Sequence, residues 1–177
     1  MTPDILIRPY TPDDALPSFE AIRESMDALM PWMPWCVPDY SLETQREYVT
    51  MRAKDFVEGT FYEMAIVAPD GRYLGGTGLN QFDRLNRRAN LGYWVRTSEA
   101  GRGIATAAVH LVRDWAFANT DFVRLEIVAA VGNLPSIRVA EKAGAHFEGT
   151  LRRRLVLHGL AHDAALFSFT REVPAPR

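Results

Sequence analysis

The sequence predicts an α/β (α+β) domain with a mixed, mostly antiparallel central sheet of about seven strands and helices on both faces. Its 177 residues are 47% hydrophobic and 24% charged, the profile of one ordinary globular domain. Strand-like and helix-like patterns alternate in the order β, helices, βββ, α, β, α, ββ. A helix between two consecutive strands implies one parallel pair within the otherwise antiparallel sheet. The domain is predicted to span residues 1–172, with 173–177 as a tail.

The first part of the chain predicts one strand and two helices. The β-branched run Ile5–Arg8 indicates the strand. Thr11, followed by proline and two aspartates, predicts the start of the first helix, with apolar residues at helical spacing as far as Leu29. Ser41 is predicted to cap the second helix. Both helices therefore carry an apolar stripe that should face the sheet.

The loop Pro31–Pro38 separates these helices. It holds three prolines, which exclude regular structure. It also holds Trp32 and Trp35, and two indole rings are costly to leave in water. Two interpretations stay open, since the tryptophans can cap the core or form the wall of a ligand cleft.

Three strands, a glycine turn and a second α/β region are predicted next. The second of the three strands contains several glycines, so a bulge or a close backbone approach is expected there. The predicted ranges are strands at 61–68, 73–82 and 90–96, a helix up to Ala118, a strand at 122–131, a short helix from Asn133 to Gly144, and final strands at 147–157 and 164–172 joined by residues 158–163.

Charge and cysteine content narrow the functional classes. The net charge of −2 and the pI near 6.1 disfavour a nucleic-acid-binding protein. Cys36 is the single cysteine, so an internal disulfide and a cysteine metal cluster are excluded and a reducing compartment fits. No leader-like or membrane-spanning apolar run is present. The expected location is the cytoplasm, without a membrane or nucleic-acid partner.

The turn around Gly101 and Gly103 predicts an anion site. It joins a strand to a helix, and the first amides of a helix have no internal partner and lie at its positive end. A dinucleotide-binding turn would place an acid near Glu126, but Thr106 stands at the third glycine position and the preceding strands are antiparallel. A P-loop is excluded, because no Gly-Lys-Ser/Thr follows. A glycine-rich connection that binds nothing remains the alternative.

The motifs around this turn resemble the GNAT superfamily of N-acetyltransferases. The segment Ala100–Ala105 is similar to the family's phosphate loop, Gln/Arg-x-x-Gly-x-Gly/Ala, although Ala100 departs from Gln or Arg. The resemblance is to the Rim-type branch, which acetylates protein N-termini. Further matching segments are Leu91–Val95, Arg124–Glu126, Asn133-x-x-Ser136, Val139–Gly144, Phe147–Arg152 and the Trp-Met-Pro-Trp loop.

The resemblance implies transfer of an acetyl group from acetyl-CoA to a primary amine, with an N-terminal α-amino group as the first expectation. It also implies that the parallel strands splay apart to form the acyl-CoA cleft. The expected cofactor-binding residues are Trp94, Val95, Gly101, Arg102, Gly103, Ile104, Ala105, Thr106 and Asn133.

Catalytic and acceptor-binding residues follow from the same resemblance. Ser136 is expected to protonate the leaving thiolate, since the tyrosine used by many relatives falls at Ala140. Glu126 is the candidate base, with Glu63 and Asp83 as alternatives, because the preceding strand carries Asn90 where relatives often have an acid. The expected substrate-binding residues are Trp32, Trp35 and Tyr93.

Other interpretations stay open at this point. A small-molecule acetyltransferase and a non-catalytic acyl-CoA-binding module would share the same fold. Relatives are often homodimers. A metal site is not expected, because Gly159 and the turn context deny His158 and His162 the helical spacing of a zinc pair. In the strand predicted at 147–157, Arg152 and Arg154 alternate and share a face, which indicates either simple solvation or contact with an acidic partner.

Overall fold

The computed structural model describes residues 3–171. Within them a seven-stranded sheet is flanked by helices on both faces. The elements are β1 (Leu6–Pro9), α1 (Ala15–Glu24), α2 (Met26–Leu29), α3 (Leu42–Glu58), β2 (Tyr62–Val67), β3 (Tyr73–Asp83), β4 (Arg88–Val95), α4 (Ile104–Asn119), β5 (Arg124–Ala130), α5 (Leu134–Lys142), β6 (His146–Leu157) and β7 (Leu160–Thr170).

The sheet has the strand order β1-β2-β3-β4-β5-β7-β6. All its pairs are antiparallel except β4 with β5. The crossover helix α4 joins these two strands, as a parallel pair requires. The predicted fold class, with its antiparallel meander and its single parallel pair, is therefore confirmed.

Two hydrophobic layers hold the helices to the sheet. Val109 and Val112 of α4 and Ala140 of α5 pack with Leu125 of β5 on one face. On the other face Val49 of α3 packs with residues of α1, β2 and β3. Alternate residues of each strand point to opposite faces, so neighbouring residues of β4 pack in different hydrophobic layers. No described helix is long and apolar enough to cross a membrane.

Two details differ from the sequence-based prediction. The first helix breaks at Ser25, whose side chain accepts a hydrogen bond from the Thr97 amide, so α1 and α2 are separate. The last two strands meet in a tight hairpin at His158 and Gly159, because residues 160–163 extend β7 instead of forming a loop. The predicted tail, residues 173–177, lies outside the described residues.

A half-buried ion pair anchors the start of α1 to β1. The Asp14 carboxylate accepts hydrogen bonds from both Arg8 terminal nitrogens at 2.6 and 2.7 Å and from the Thr11 amide at 2.8 Å. Burial alone would raise the pKa of Asp14, but the hydrogen bonds from Arg8 and Thr11 outweigh it and hold this pKa below its usual value. The pair therefore favours the folded state while the carboxyl group is ionised.

Replacing Asp14 by Asn is expected to lower the free energy of unfolding by about 2 kcal/mol at pH 7, because Arg8 loses its charged partner. The contribution in the unchanged protein is complete above the unfolded carboxyl pKa of about 3.9 and is lost as the pH falls through the lower folded pKa. Urea unfolding at pH 7 and near pH 3 measures both effects. Asp70→Asn, at an exposed pair with Arg72, should change little; an equal loss there would contradict the assignment.

Candidate active site

The parallel strands β4 and β5 separate along their length. They pair only over Arg88–Asn90 and Arg124–Glu126. Beyond Asn90, β4 stays paired with β3 on its other side. In the described residues, its edge toward β5 is therefore left without a partner strand from Leu91 to Val95. Such an edge can bond an extended ligand as an added strand.

The loop after β4 presents backbone amides at the start of α4. Gly101 and Gly103 have φ of +78° and +81°, a conformation that glycine adopts at little cost. Within the described residues the amides of 101–103 donate to no backbone oxygen, and those of Ile104 to Thr106 precede the first internal bonds of α4. The loop thus offers amides that suit a pyrophosphate.

The side chain of Arg102 forms an ion pair within the protein and so adds no unpaired positive charge to these amides. It donates to Glu99 at 2.8 Å, and Arg72 donates to the other oxygen of the same carboxylate at 3.0 Å. Glu99 is buried. Through its two arginine partners it connects the turn to the segment between β2 and β3. The side chain of Arg102 therefore holds the loop to Glu99, and its role as a cofactor-binding residue stays a prediction.

Ser136 lies against β4 at the first turn of α5. Asn133 caps this helix, and its side-chain oxygen accepts a hydrogen bond from the Ser136 amide at 3.2 Å. The Tyr93 hydroxyl donates to the Ser136 carbonyl at 2.9 Å and lies 3.0 Å from Ser136 Oγ. Burial raises the pKa of Tyr93 to about 12, so this hydroxyl stays protonated. The contact fixes Ser136 beside the splayed end of β4.

A cavity of about 770 Å³ opens on the opposite face of β4. Its floor is the sheet at Gly76 and Gly92, and its walls come from α3 and the loop before it. Because glycine has no side chain, the cavity reaches the main chain of the sheet at these two positions. An acceptor in this cavity and Ser136 would lie on opposite sides of β4.

A chain of polar side chains crosses the floor of this cavity. Glu63 on β2 accepts a hydrogen bond from Asn80 on β3 at 3.0 Å, and Asn80 accepts one from Asn90 on β4 at 2.9 Å. Burial raises the pKa of Glu63, and the Asn80 hydrogen bond and the charge of Arg52 oppose the rise only in part. Its second oxygen has no hydrogen bond within the described residues. Asn80 therefore fixes the position of the Glu63 side chain, and one oxygen of Glu63 has no hydrogen-bond partner among the described residues.

Glu126 has a different environment from the one expected of a base. Arg88 donates to one of its oxygens at 2.9 Å and Arg124 to the other at 2.8 Å. These two ion pairs occupy both carboxylate oxygens. Asp83, the other alternative, accepts from Asn86 and Arg88 in the β3–β4 turn. The role of Glu126 stays a prediction, but its geometry favours a clamp between β4 and β5.

The predicted aromatic residues divide between two places. Trp35 and Trp94 line the cavity, with ring centroids 6.4 Å apart. Trp32 instead packs against Gly132 before α5. Tyr93 borders the cavity, but its hydroxyl reaches Ser136. Val95, next to Trp94, packs on the α4 side with the apolar cluster under the loop.

Sequence reasoning named Glu63 but missed the chain that holds it. The signal was a glutamate in the otherwise apolar run Tyr62–Val67, which is unusual for a buried strand. Neither Asn80 nor its bond to Asn90 could be deduced from spacing, because the three residues come from three strands. Among residues 3–171, no group of three or more His, Cys, Asp or Glu side chains is placed to hold a metal ion.

The sequence and the fold of this chain are both similar to those of known proteins. Residues 4–146 match the family described as acetyltransferase (GNAT) domain. The chain is 32% identical over 168 residues to the putative ribosomal N-acetyltransferase YdaF of Bacillus subtilis, covering 94% of this chain and 91% of that protein. A crystal structure of a probable acetyltransferase superposes with a TM-score of 0.86 at 31% identity, over 95% and 93% of the two chains. RimL, the ribosomal L7/L12 alpha-N-protein acetyltransferase solved with coenzyme A, superposes at 0.85 with 21% identity, over 94% of each chain.

Proposed function

Since the chain belongs to the GNAT family of acetyl-CoA-dependent N-acetyltransferases, we propose that its acceptor is the α-amino group of a protein or peptide N-terminus. The observation that carries this proposal is the cavity on the Trp94 face of β4, with Glu63 as a desolvated carboxylate at its floor. An α-amino group has a pKa of about 8, against about 10.4 for lysine. A carboxylate of raised pKa is sufficient to deprotonate the former.

Acetyl-CoA supplies the thioester whose carbonyl carbon the amine attacks. The amides of residues 101–106 would hold its pyrophosphate, and the free edge of β4 at Trp94 and Val95 would bond its pantetheine arm. The names of YdaF and RimL support an N-terminal acceptor on a ribosomal protein. We propose the cytoplasm as the site of this reaction, where one free cysteine, Cys36, is compatible with reducing conditions.

Glu63 is the proposed proton acceptor. Its open oxygen takes the proton of the acceptor ammonium, while Asn80 and Asn90 hold the carboxylate in position. The amine then forms the new C–N bond as the C–S bond breaks. Glu126 keeps β4 and β5 together next to the point where they separate, through its pair with Arg88.

Ser136 is the proposed proton donor to the leaving thiolate. Replacing Ser136 by Ala is expected to lower kcat about tenfold, because a thiol of pKa about 8.5 can also leave without full protonation. The KM for acetyl-CoA should stay nearly unchanged. Steady-state release of free thiol measures both constants. Tyr93→Phe keeps the serine hydroxyl and should lower kcat less; an unchanged kcat in Ser136→Ala would remove Ser136 from the mechanism.

A small polycationic amine is the second candidate acceptor. Asp39, Glu47 and Glu63 all line the cavity, which also contains one arginine, Arg52. This excess of carboxylates would attract a polyamine as well as an N-terminal ammonium. The third candidate function is that of a non-catalytic acyl-CoA-binding module. In that case the protein would bind acetyl-CoA without releasing free thiol.

One acceptor panel separates these functions. Purified protein is incubated with acetyl-CoA and with peptides bearing free N-termini, the same peptides with blocked N-termini, spermidine and lysine blocked at its α-amino group. Thiol release and product mass are then measured. Acetylation of the free peptides only is expected. Turnover with spermidine alone, or binding without any turnover, would contradict the proposed acceptor.

A further inference from the structure

We propose that the bulge formed by Arg152, Arg153 and Arg154 in β6, here called the arginine bulge, binds acidic side chains that follow the N-terminal residue of the acceptor polypeptide. This inference rests on the proposed function, because it adds a second contact to the same acceptor. It concerns a surface outside the reaction cavity. The ligand class is a chain segment rich in Asp or Glu.

The arginine bulge is a defined irregularity of the β6–β7 hairpin. Leu151 pairs with Ala164 and Leu155 pairs with His162, so the three arginines stand opposite Asp163 alone. Arg153 has φ of +50°, and its amide donates to the Asp163 carboxylate at 2.8 Å. The regular alternation expected for residues 152 and 154 is therefore interrupted. The hairpin holds three consecutive cations in a fixed backbone arrangement.

The side chains of the arginine bulge form no ion pair within the described chain, and the Asp163 carboxylate opposite them contacts the main chain. All three residues are exposed, and none forms an ion pair with another residue in the range 3–171. Arg88 and Arg124, nearby in the sheet, are both paired with Glu126. A concentrated positive site on a chain of net charge −2 is suited to a local anionic group more than to a long polyanion.

The arginine bulge adjoins the reaction cavity. Arg154 lines a small pocket of about 70 Å³ together with Asn90 and Glu126. Gln81 borders both this pocket and the large cavity. A chain leaving the cavity past Gln81 therefore meets Arg154. An extended peptide advances about 3.3 Å per residue, so residues a few positions after the N-terminus would reach this surface.

The chemistry of the surface selects the ligand. Arginine binds carboxylates through two parallel hydrogen bonds, which are stronger than neutral ones. An acceptor with an ammonium group in the acidic cavity and carboxylates on the arginine bulge would be oriented at both ends. A polyamine would be repelled by the bulge, so this surface favours a polypeptide acceptor over the small polycation.

The test compares two peptides that share their first three residues and differ in the next four, which are Glu in one and Gln in the other. We expect the double variant R152Q/R154Q to lower kcat/KM for the Glu peptide about tenfold, since each exposed charge pair contributes a few-fold. The value for the Gln peptide and kcat for both peptides should be unchanged. The matched control R46Q/K54Q removes two exposed cations from α3 and should affect neither peptide.

Binding and assembly measurements complete the test. Anisotropy of the labelled Glu peptide, without acetyl-CoA, should show weaker binding to R152Q/R154Q and a loss of discrimination at high salt. Equal effects on both peptides, or none, would overturn the inference while peptide acetylation itself stands. A dimer that dissociates in R152Q/R154Q with unchanged peptide kinetics would make the bulge a contact between copies and also overturn it. If no peptide is acetylated, the proposed function fails, and the binding arm still decides the inference.

Discussion

Replacing Glu63 by Gln is expected to lower kcat by about 100-fold or more, because the glutamine cannot accept the proton of the acceptor amine. The substitution keeps the shape of the side chain and can keep the bond to Asn80. The fold should therefore be retained, with a melting temperature close to that of the unchanged protein. Initial rates with a free N-terminal peptide across pH 5 to 9 are the measurement.

The pH profile distinguishes a base from a structural residue. The rate in the unchanged protein should fall as the pH drops below the pKa of Glu63, because only the carboxylate accepts a proton. The Asn80 hydrogen bond lowers this pKa, so Asn80→Ala should raise it and move the acid limb of kcat/KM to higher pH. Glu63→Gln should abolish that limb.

Glu47→Gln is the matched control, since Glu47 lines the same cavity from α3. It should change KM for cationic acceptors and leave the acid limb in place. A Glu63→Gln enzyme with full kcat, together with a folded but inactive Glu126→Gln enzyme, would return the proton-accepting role to Glu126.

Replacing Gly75 by Ala is expected to lower the free energy of unfolding by about 3 kcal/mol, or roughly 10 °C in Tm. A Cβ atom at this position would overlap the Trp94 carbonyl oxygen and lie 2.9 Å from Val95 Cα. Both are main-chain atoms of the adjacent strand, so no side-chain rotation relieves the clash. Calorimetry or thermal circular dichroism measures the shift.

Gly92→Ala is the control that distinguishes the steric clash at Gly75 from a general loss of stability on replacing a glycine in the sheet. Its Cβ would meet only the Asn80 and Asn90 side-chain nitrogens, at 3.8 and 3.9 Å, which is ordinary contact. Stability should hardly change, while the added methyl group narrows the cavity floor and raises KM for the acceptor. Equal melting temperatures for both variants would refute the role assigned to Gly75.

The parts of this protein that local patterns predicted are the ones built from neighbouring residues. The meander consists of consecutive strands joined by short connections, the glycine turn depends on positive φ angles that glycine adopts, and the short helix begins at its Asn133 cap. Their start and stop signals are correspondingly visible in the sequence. Errors arose where a distant contact decides, as at Ser25, which breaks a continuous helical pattern and contacts Thr97.

Side-chain environments were harder to predict than elements. The position of Glu126 on its strand suggests a base, but Arg88 from the neighbouring strand and Arg124 from its own strand occupy both its oxygens. Trp32 and Trp35 are three positions apart in one loop, yet one packs on Gly132 and the other lines the cavity. The prolines of that loop give no periodicity from which either direction could be deduced.

The sequence by itself determined the order of elements, the single parallel pair and the loop that suits a pyrophosphate, because these follow from local backbone preferences. Only the tertiary structure decided which carboxylate can take a proton. Glu63, Asn80 and Asn90 lie on three strands and meet through sheet register, while the arginine partners of Glu126 meet it at the parallel pair. The pKa of a carboxyl group and the hydrogen bonds of its oxygens depend on residues from several strands. They therefore cannot be deduced from one stretch of the sequence.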